Sequence, residues 1–343
     1  MDSFPFPILL FFIILLSLYL LYRLFQKRSQ YFQYIQQQEG FVSENSTTII
    51  SSLLPVNETF AELPIQEYVI KASFNSAYGS DHKISASNLK NVIENEKSRF
   101  LDFEVYEQDQ KPVIGYSSSH DNIIDSENTE PFHKIMEVIA MNAFATNNGN
   151  DPLFLHFRIK SENQVLLSDI ATTLENTFRE KVYSENVTGK TKLSKLIGKV
   201  VFIIDVSPQY SANYNSIVCN KTDAKCLNLR DVVHMNSNSS TLLSTIDSKV
   251  VTQQNDPPKI TDGRRTTVTN WQMATPDLHN YTNSNTDFFF KLVNDYGIQI
   301  VMHQFYIHDK ALERYKTFFE SLKSAYVPLS AALSYIQTNG GSD

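Results

Sequence analysis

The chain has 343 residues, of which 42% are hydrophobic and 20% are charged, and its formal net charge is −7. This composition can bury a sizeable core, so it excludes collagen-like and wholly disordered proteins. The acidic balance argues against a nucleic-acid partner, which requires a basic surface, and a count of 2 cysteines excludes a disulfide-rich scaffold.

The N-terminus predicts a membrane anchor over residues 1–28. No charged side chain occurs between Ser3 and Tyr22, and residues 8–25 are almost entirely Leu, Ile, Phe and Tyr. As a helix, this run would be about 27 Å long, which is sufficient to cross the hydrocarbon core of a bilayer. The alternative is a cleaved signal peptide, but no Lys or Arg precedes the run and no cleavage pattern follows it.

The charges beside this span predict its orientation. Arg23, Lys27 and Arg28 follow the span, whereas Asp2 is the one charged side chain before it. The positive-inside rule therefore places the remainder of the chain on the cytoplasmic side of a single-pass membrane protein. Sequons for N-glycosylation favour a lumenal domain instead; they begin at Asn45, Asn57, Asn186, Asn220, Asn238 and Asn280. Because the chain is rich in Asn, Ser and Thr, sequons arise by chance, and we predict the cytoplasmic orientation.

Residues 29–63 are polar and predict a stalk, after which β-branched and aromatic runs recur. Eight such runs predict strands, at residues 68–73, 100–107, 112–116, 153–159, 200–206, 232–235, 269–273 and 298–306. Apolar side chains spaced three or four residues apart predict helices over residues 85–96, 131–145 and 162–179. The stretch 207–265 is irregular and is interpreted as long surface loops around one or two strands.

Alternation of strands and helices predicts an α/β fold with a parallel sheet. Eight strands within residues 64–338 suit a closed (β/α)8 TIM barrel, followed by a disordered tail at residues 339–343. The alternative is an open doubly wound sheet. No glycine-rich phosphate-binding loop follows any predicted strand, which favours the barrel.

Five segments occur in the order and spacing of a known family. They read ASFNSAY (72–78), RFLDFEVY (99–106), PVIGY (112–116), NAF followed by DPLFL (142–155), and KVVFI (199–203). This series resembles the X region of phosphatidylinositol-specific phospholipases C, in the PLC-like phosphodiesterase superfamily. The bias towards Asn, Ile, Lys and Ser is similar to that of large DNA virus proteins.

The resemblance implies a reaction that this chain lacks the residues to perform. The family cleaves a phosphodiester with two histidines that act in acid/base steps. The first histidine falls on Phe74 and the second on Tyr116, neither of which titrates near neutral pH. These two positions are therefore predicted to be vestigial, with no catalytic residue assigned. A relocated site built around His120 is the alternative, and His82, His133 and His156 are the other histidines near in sequence.

The resemblance also implies a calcium site, and this site is altered. Asn75, Asp102 and Glu104 fall on ligand positions and would form a remnant site if calcium were retained. A ligand glutamate is replaced by Arg158, and a phosphate-binding lysine is replaced by Ile203. Asp102, Glu104 and Arg158 are instead predicted to form a buried ion-pair cluster, with no cofactor.

These substitutions predict a membrane-anchored, catalytically inactive barrel with a structural or adaptor role. Its partners would be the membrane and other proteins, and in a large DNA virus it would be a minor structural protein that joins an internal membrane to the capsid. The alternatives are a phosphodiesterase that acts on phosphoinositide lipids and a non-catalytic binder of lipid headgroups. The cytoplasmic orientation favours free thiols at Cys219 and Cys226, with a surface disulfide as the alternative.

Overall fold

A computed structural model describes residues 53–56, 61–118, 123–219, 226–252, 270–277 and 284–339, together with Tyr19. The predicted membrane span, most of the predicted stalk, the tail from residue 340 and His120 lie outside these residues. Among the residues described, no helix has the length and apolar character needed to cross a bilayer. The chain divides into two compact units, residues 1–50 and 51–343, and all the elements given below belong to the second.

Eight parallel strands form a nearly closed barrel. The strands of the sheet, in chain order, are β1 (Tyr68–Ser73), β2 (Phe100–Gln108), β3 (Lys111–Gly115), β4 (Glu130–Pro131), β5 (Leu153–Ile159), β6 (Val200–Asp205), β7 (Met235–Ser237), β8 (Leu243–Ile246), β9 (Gln272–Thr275), β10 (Ile300–His303) and β11 (Tyr326–Pro328). The barrel order is β7-β6-β5-β2-β1-β10-β9-β8, so it follows the chain. A bridge between Ser237 and Leu242 joins its two ends. The predicted α/β barrel is confirmed.

Helices follow most of the barrel strands. They are α1 (Ala86–Lys90), continued by a π-helical turn (Asn91–Asn95), α2 (Phe132–Asn142), α3 (Gln164–Phe178), α4 (Asp247–Thr252), α5 (Phe289–Asn294), α6 (Lys310–Ser321) and α7 (Leu329–Asn339). Ser85 begins α1 because its hydroxyl accepts a hydrogen bond from the backbone N–H of Asn88 at 3.1 Å. The three helices predicted from apolar spacing are all present.

One predicted barrel strand has a different role. The run at residues 112–116 corresponds to β3, which pairs antiparallel with β2 instead of entering the parallel barrel. Asp109 and Gln110 connect the two strands with φ values of 51° and 61°, the left-handed geometry of a two-residue hairpin turn. The eighth barrel strand is instead β8, which pairs with β9 and lies inside the stretch interpreted as loops around one or two strands. The side chains of β8 are exposed or half-buried, so it lacks the apolar run that marks the other strands.

The prediction of free thiols is wrong. Cys219 and Cys226 form a disulfide, and their Cα atoms lie 5.6 Å apart, a separation that a disulfide spans without backbone movement. This bond includes both cysteines of the chain, so neither is a free thiol.

Candidate functional site

The strand register brings the predicted site residues together inside the barrel. Asp102 and Glu104 of β2 lie directly beside His156 and Arg158 of β5. The intervening Phe157 packs outward against the α2 residue Phe132, with ring centroids 5.5 Å apart. Because side chains alternate across a strand, the four polar side chains point into the barrel.

Arg158 is the centre of this arrangement. Its Nε and Nη2 donate to the two carboxylate oxygens of Asp102 at 3.1 and 2.9 Å, and Nη2 also donates to Asn75 Oδ1 at 2.7 Å. Its Nη1 donates to the Tyr210 hydroxyl at 3.2 Å and lies 3.3 Å from Glu104 Oε1. A guanidinium has five N–H groups, and four of them donate to Asp102, Asn75 and Tyr210, while the ion pair with Glu104 lies on the Nη1 side. Most of the donor capacity of Arg158 is therefore used inside the protein.

A second cation completes the charge balance. Lys160 Nζ lies 2.9 Å from Glu104 Oε1, and the other oxygen of Glu104 accepts from the backbone N–H of Ser117 at 3.0 Å. Asp102 and Glu104 are thus matched by Arg158 and Lys160. All four side chains are at most 4% exposed. The buried ion-pair cluster predicted from the sequence is present.

The protonation state of Asp102 follows from its surroundings. Burial raises the pKa of Asp102, but the charge of Arg158 and hydrogen bonds from His156 and Arg158 outweigh burial and lower it to about 2. Asp102 is therefore ionised at neutral pH and only accepts hydrogen bonds. It also accepts from the backbone N–H of Asn75 at 3.0 Å, which fixes the chain immediately after β1.

A Ser–His–Asp chain extends from this cluster, and sequence reasoning did not find it. His156 Nδ1 donates to Asp102 Oδ1 at 2.7 Å, and His156 Nε2 lies 2.7 Å from Ser237 Oγ. Ser237, His156 and Asp102 are all 0% exposed, so no substrate reaches the serine. This Ser–His–Asp series is a buried polar network whose hydrogen bonds connect β2, β5 and β7. The signal for it was the placement of His156 two residues before Arg158, on the same strand face.

Aromatic side chains fill the positions of the two family histidines. The ring centroid of Phe74 lies 4.4 Å from the guanidinium carbon of Arg158, a cation–π contact. Tyr116 stacks on Tyr78 with ring centroids 4.0 Å apart, and the edge of Tyr306 meets both rings. Burial raises the pKa of Tyr116 further above neutrality. Neither position holds a group that exchanges a proton near pH 7.

Ile203 and three further histidines lie apart from the Arg158 cluster. Ile203 is fully buried on β6, beside His156 in the register. His82 contacts the Tyr78 hydroxyl through Nδ1 at 2.8 Å, and His133 is exposed on α2. His303, at the end of β10, stacks on Tyr315 with centroids 3.8 Å apart, and burial lowers its pKa to about 4. These histidines are separate from the Arg158 cluster.

A cavity of about 370 Å³ opens beside this cluster, at the carboxyl ends of the strands. Its lining residues include Phe74, Arg158, Asp205, Ser207, Tyr210, Ser244, Thr245, Lys249, Thr275 and Asp277. Asp205 ends β6 and accepts from the backbone N–H and the hydroxyl of Ser207 at 2.7 and 2.5 Å. Asp277 accepts from the hydroxyl of Ser248. Sequence reasoning missed both carboxylates because Asp205 and Asp277 are 72 positions apart in sequence and only the closure of the barrel brings them to one wall.

The residues at the predicted calcium positions do not fit a calcium ion. The guanidinium of Arg158 contacts Asn75, Asp102 and Glu104, so it occupies the place among them that a cation would need. Among the described residues, no group of three or more His, Cys, Asp or Glu side chains could hold a metal ion. The positive charge at this place is therefore the guanidinium of Arg158, which cannot exchange as a bound metal ion can.

The fold is similar to that of solved phospholipases. PLC21 of L. pealei has a TM-score of 0.59 and 14% sequence identity, and the match covers 82% of this chain. PLC21 of S. officinalis has a TM-score of 0.57 and 16% sequence identity, and the match covers 83% of this chain. This chain spans 39% of the length of each. A Ca²⁺-dependent phosphatidylinositol-specific phospholipase C of Streptomyces antibioticus covers 78% of this chain and 99% of its own, with 9% identity and a TM-score of 0.47.

No family model and no curated protein sequence matches the chain. At the identities of the solved structures, similarity concerns the fold and leaves the activity to be argued from the site itself. The fold of this chain is that of a phospholipase-C-like barrel.

Proposed function

We propose that this barrel is a catalytically inactive phospholipase-C-like domain that serves as a membrane-tethered adaptor. The observation that carries the proposal is the engagement of Arg158 with Asn75, Asp102 and Glu104. The tether rests on the apolar run at residues 8–25. The partner would be a protein, and in a large DNA virus it would be the shell around an internal membrane.

The missing acid/base groups support inactivity. Cleavage of a phosphodiester by an attacking hydroxyl needs a group that titrates near neutral pH, and such help contributes about 10²–10⁴-fold per group. Phe74 cannot exchange a proton, and burial raises the pKa of Tyr116. The loss of both groups would lower the rate by several orders of magnitude even if a substrate were bound.

The ion-pair cluster also supports inactivity, because it limits the binding of a substrate phosphate. A phosphate needs an uncompensated cation, but Arg158 is held by two carboxylates and Lys160 is paired with Glu104. Rebuilding the family site would therefore require more than one substitution. Phe74→His alone restores a base beside a guanidinium that is already paired with two carboxylates.

The test is hydrolysis of phosphatidylinositol in detergent micelles by the full-length chain, with and without calcium. We expect no calcium-dependent turnover by the wild type or by Phe74→His. A triple variant, Phe74→His/Tyr116→His/Arg158→Glu, tests whether the barrel still holds the family geometry. Calcium-dependent turnover by the wild type that is abolished by Asp102→Ala would refute the proposed inactivity.

The cavity favours a second candidate function, which is the binding of an uncharged headgroup. Its wall carries the carboxylates of Asp205 and Asp277 and the exposed ammonium of Lys249, whereas Arg158 is already paired. Hydroxyl side chains make up much of the remaining wall. This composition suits a neutral polyhydroxyl group better than a phosphate, and its volume is within the range of ligand pockets.

Calorimetric titration of the full-length chain with myo-inositol and with inositol 1-phosphate separates the two candidates. The adaptor proposal predicts no saturable binding of either compound. Headgroup binding predicts saturation by myo-inositol that is weakened by Asp277→Asn. Thr191→Ala is the control, because the Thr191 carbonyl accepts from the N–H of Ile65 just before β1, at the end of the barrel opposite the cavity, and it should leave such binding unchanged.

A further inference from the structure

The disulfide and the sequons have no role in the proposed adaptor function. They bear instead on the cellular compartment in which the barrel folds. The two half-cystines are positioned by the surrounding chain. The backbone N–H of Cys219 donates to Asn228 Oδ1 at 2.6 Å, and the N–H of Leu227, next to Cys226, donates to Ser168 Oγ on α3 at 3.1 Å. Disulfides form and persist in oxidising compartments and are rare in the cytosol.

Asn186 begins a sequon that the structure presents to solvent. Asn186 and Thr188 are exposed, whereas Val187 between them is 1% exposed. The backbone N–H of Val187 donates to the carbonyl of His234 at 3.2 Å, and the N–H of Thr188 donates to Thr191 Oγ1 at 3.0 Å. Both residues that define the sequon, Asn186 and Thr188, are therefore accessible in the folded barrel, so the fold has room for a glycan on Asn186.

The location of Asn186 also allows a bulky group. The loop that carries it ends before β6, and its Gly189 carbonyl accepts from the N–H of Gln66 just before β1. It therefore lies at the amino ends of the barrel strands. The cavity lies at the carboxyl ends, so a glycan on Asn186 would leave the cavity open.

We infer that the barrel matures in an oxidising, glycosylating compartment and that Asn186 carries an N-linked glycan. The donor would be a lipid-linked oligosaccharide pyrophosphate. A C–N bond forms between Asn186 Nδ2 and the anomeric carbon, the C–O bond to the pyrophosphate breaks, and the amide proton passes to the solvent. Cys219 and Cys226 lose two electrons and two protons to the disulfide of a thiol oxidoreductase, which becomes a dithiol.

This placement is opposite to the orientation predicted from Arg23, Lys27 and Arg28. Those charges express a statistical preference for one orientation. A disulfide needs an oxidant for its formation, so we give it more weight. The inference concerns the compartment of the barrel and is independent of catalysis, but it requires that a protein partner of the barrel lie in the same compartment and not in the cytosol.

The glycan is tested with the full-length chain expressed in eukaryotic cells and treated with peptide N-glycosidase. Asn186→Gln and Thr188→Ala should each remove one enzyme-sensitive mobility step, whereas Thr188→Ser, which keeps the sequon, should retain it. The matched control is Asn176→Gln, an exposed asparagine on α3 without a sequon, which should also retain it. Migration of Asn186→Gln identical to that of the wild type before treatment would overturn the assignment.

The compartment is tested independently by thiol labelling. Cells are lysed and denatured with a polyethylene-glycol maleimide present, with or without prior reduction. We expect no labelling of Cys219 and Cys226 before reduction and labelling of both after it. Labelling of both cysteines without a reductant would show a reducing compartment and overturn the inference.

Discussion

Arg158 and Asp102 form a bidentate ion pair in the barrel interior, with N–O distances of 3.1 and 2.9 Å. The side chain of Asp102 is 0% exposed and that of Arg158 is 4% exposed. Two charges removed from water remain stable only when each compensates the other. Loss of either partner would therefore leave a buried, uncompensated charge and destabilise the barrel.

The first prediction concerns loss of one partner. Asp102→Asn keeps the size of the side chain but leaves Arg158 without its main counter-charge, so we expect the free energy of unfolding to fall by about 3–5 kcal/mol. Urea unfolding at neutral pH measures this change. Asp231→Asn is the control, because Asp231 is 55% exposed in its pair with Arg230 and should change stability by less than about 1 kcal/mol. Equal effects of the two substitutions would contradict the account.

Acid should weaken the barrel through the same carboxyl. The pKa of Asp102 is about 2 in the folded chain, below the value of 3.8 for a free aspartate. The unfolded chain therefore binds the proton first, and stability falls as the pH decreases from about 4 to about 2, by about 2 kcal/mol in total. Unfolding curves over this interval should lose part of their pH dependence in Asp102→Asn. An unchanged dependence would assign the acid sensitivity to other groups.

Two other buried carboxyls should act in the opposite direction. Burial raises the pKa of Asp151 and of Asp247 to about 6. The folded chain holds these protons more tightly than the unfolded chain, so stability should fall as the pH rises from about 4 to about 6, by at most about 3 kcal/mol for each group. Chemical unfolding at about pH 4 and about pH 7 measures this loss. Asp151→Asn should flatten the profile, and an increase in stability over this range would refute the prediction.

Removal of the disulfide should destabilise the chain modestly. Cys219 and Cys226 are 7 residues apart in sequence, and closing a loop of this length contributes about 2–3 kcal/mol through the unfolded state. We expect Cys219→Ser/Cys226→Ser to lower the free energy of unfolding by that amount. A reductant should produce the same loss in the wild type and none in the double variant. A stability that is insensitive to reductant in the wild type would contradict this expectation.

The sequence predicted the bounds of strands that are buried along their whole length and missed a barrel strand that is half-exposed. The bounds predicted for β1 and β5 agree with the structure, because both strands are buried along their whole length. The run at residues 112–116 has the same composition, but its role as a hairpin depends on the φ values of Asp109 and Gln110. β8 was not located because its side chains are half-exposed and carry no apolar pattern.

The candidate site was predictable where residues share a strand face. The alternation of Asp102 with Glu104, together with Arg158, indicated a buried ion-pair cluster. The pairing of His156 with Ser237 joins residues 81 positions apart, and no local pattern reports such a contact. The same holds for the cavity carboxylates Asp205 and Asp277, which the closure of the barrel brings to one wall.

Calcium titration of the full-length chain, followed by calorimetry, tests the central claim most directly. If the guanidinium of Arg158 takes the place of the metal among Asn75, Asp102 and Glu104, the wild type should show no saturable heat up to about millimolar calcium, the weakest range of protein calcium sites. Saturable binding of one calcium ion by the wild type, lost in Glu104→Gln, would show that these side chains still hold the metal and would contradict the account.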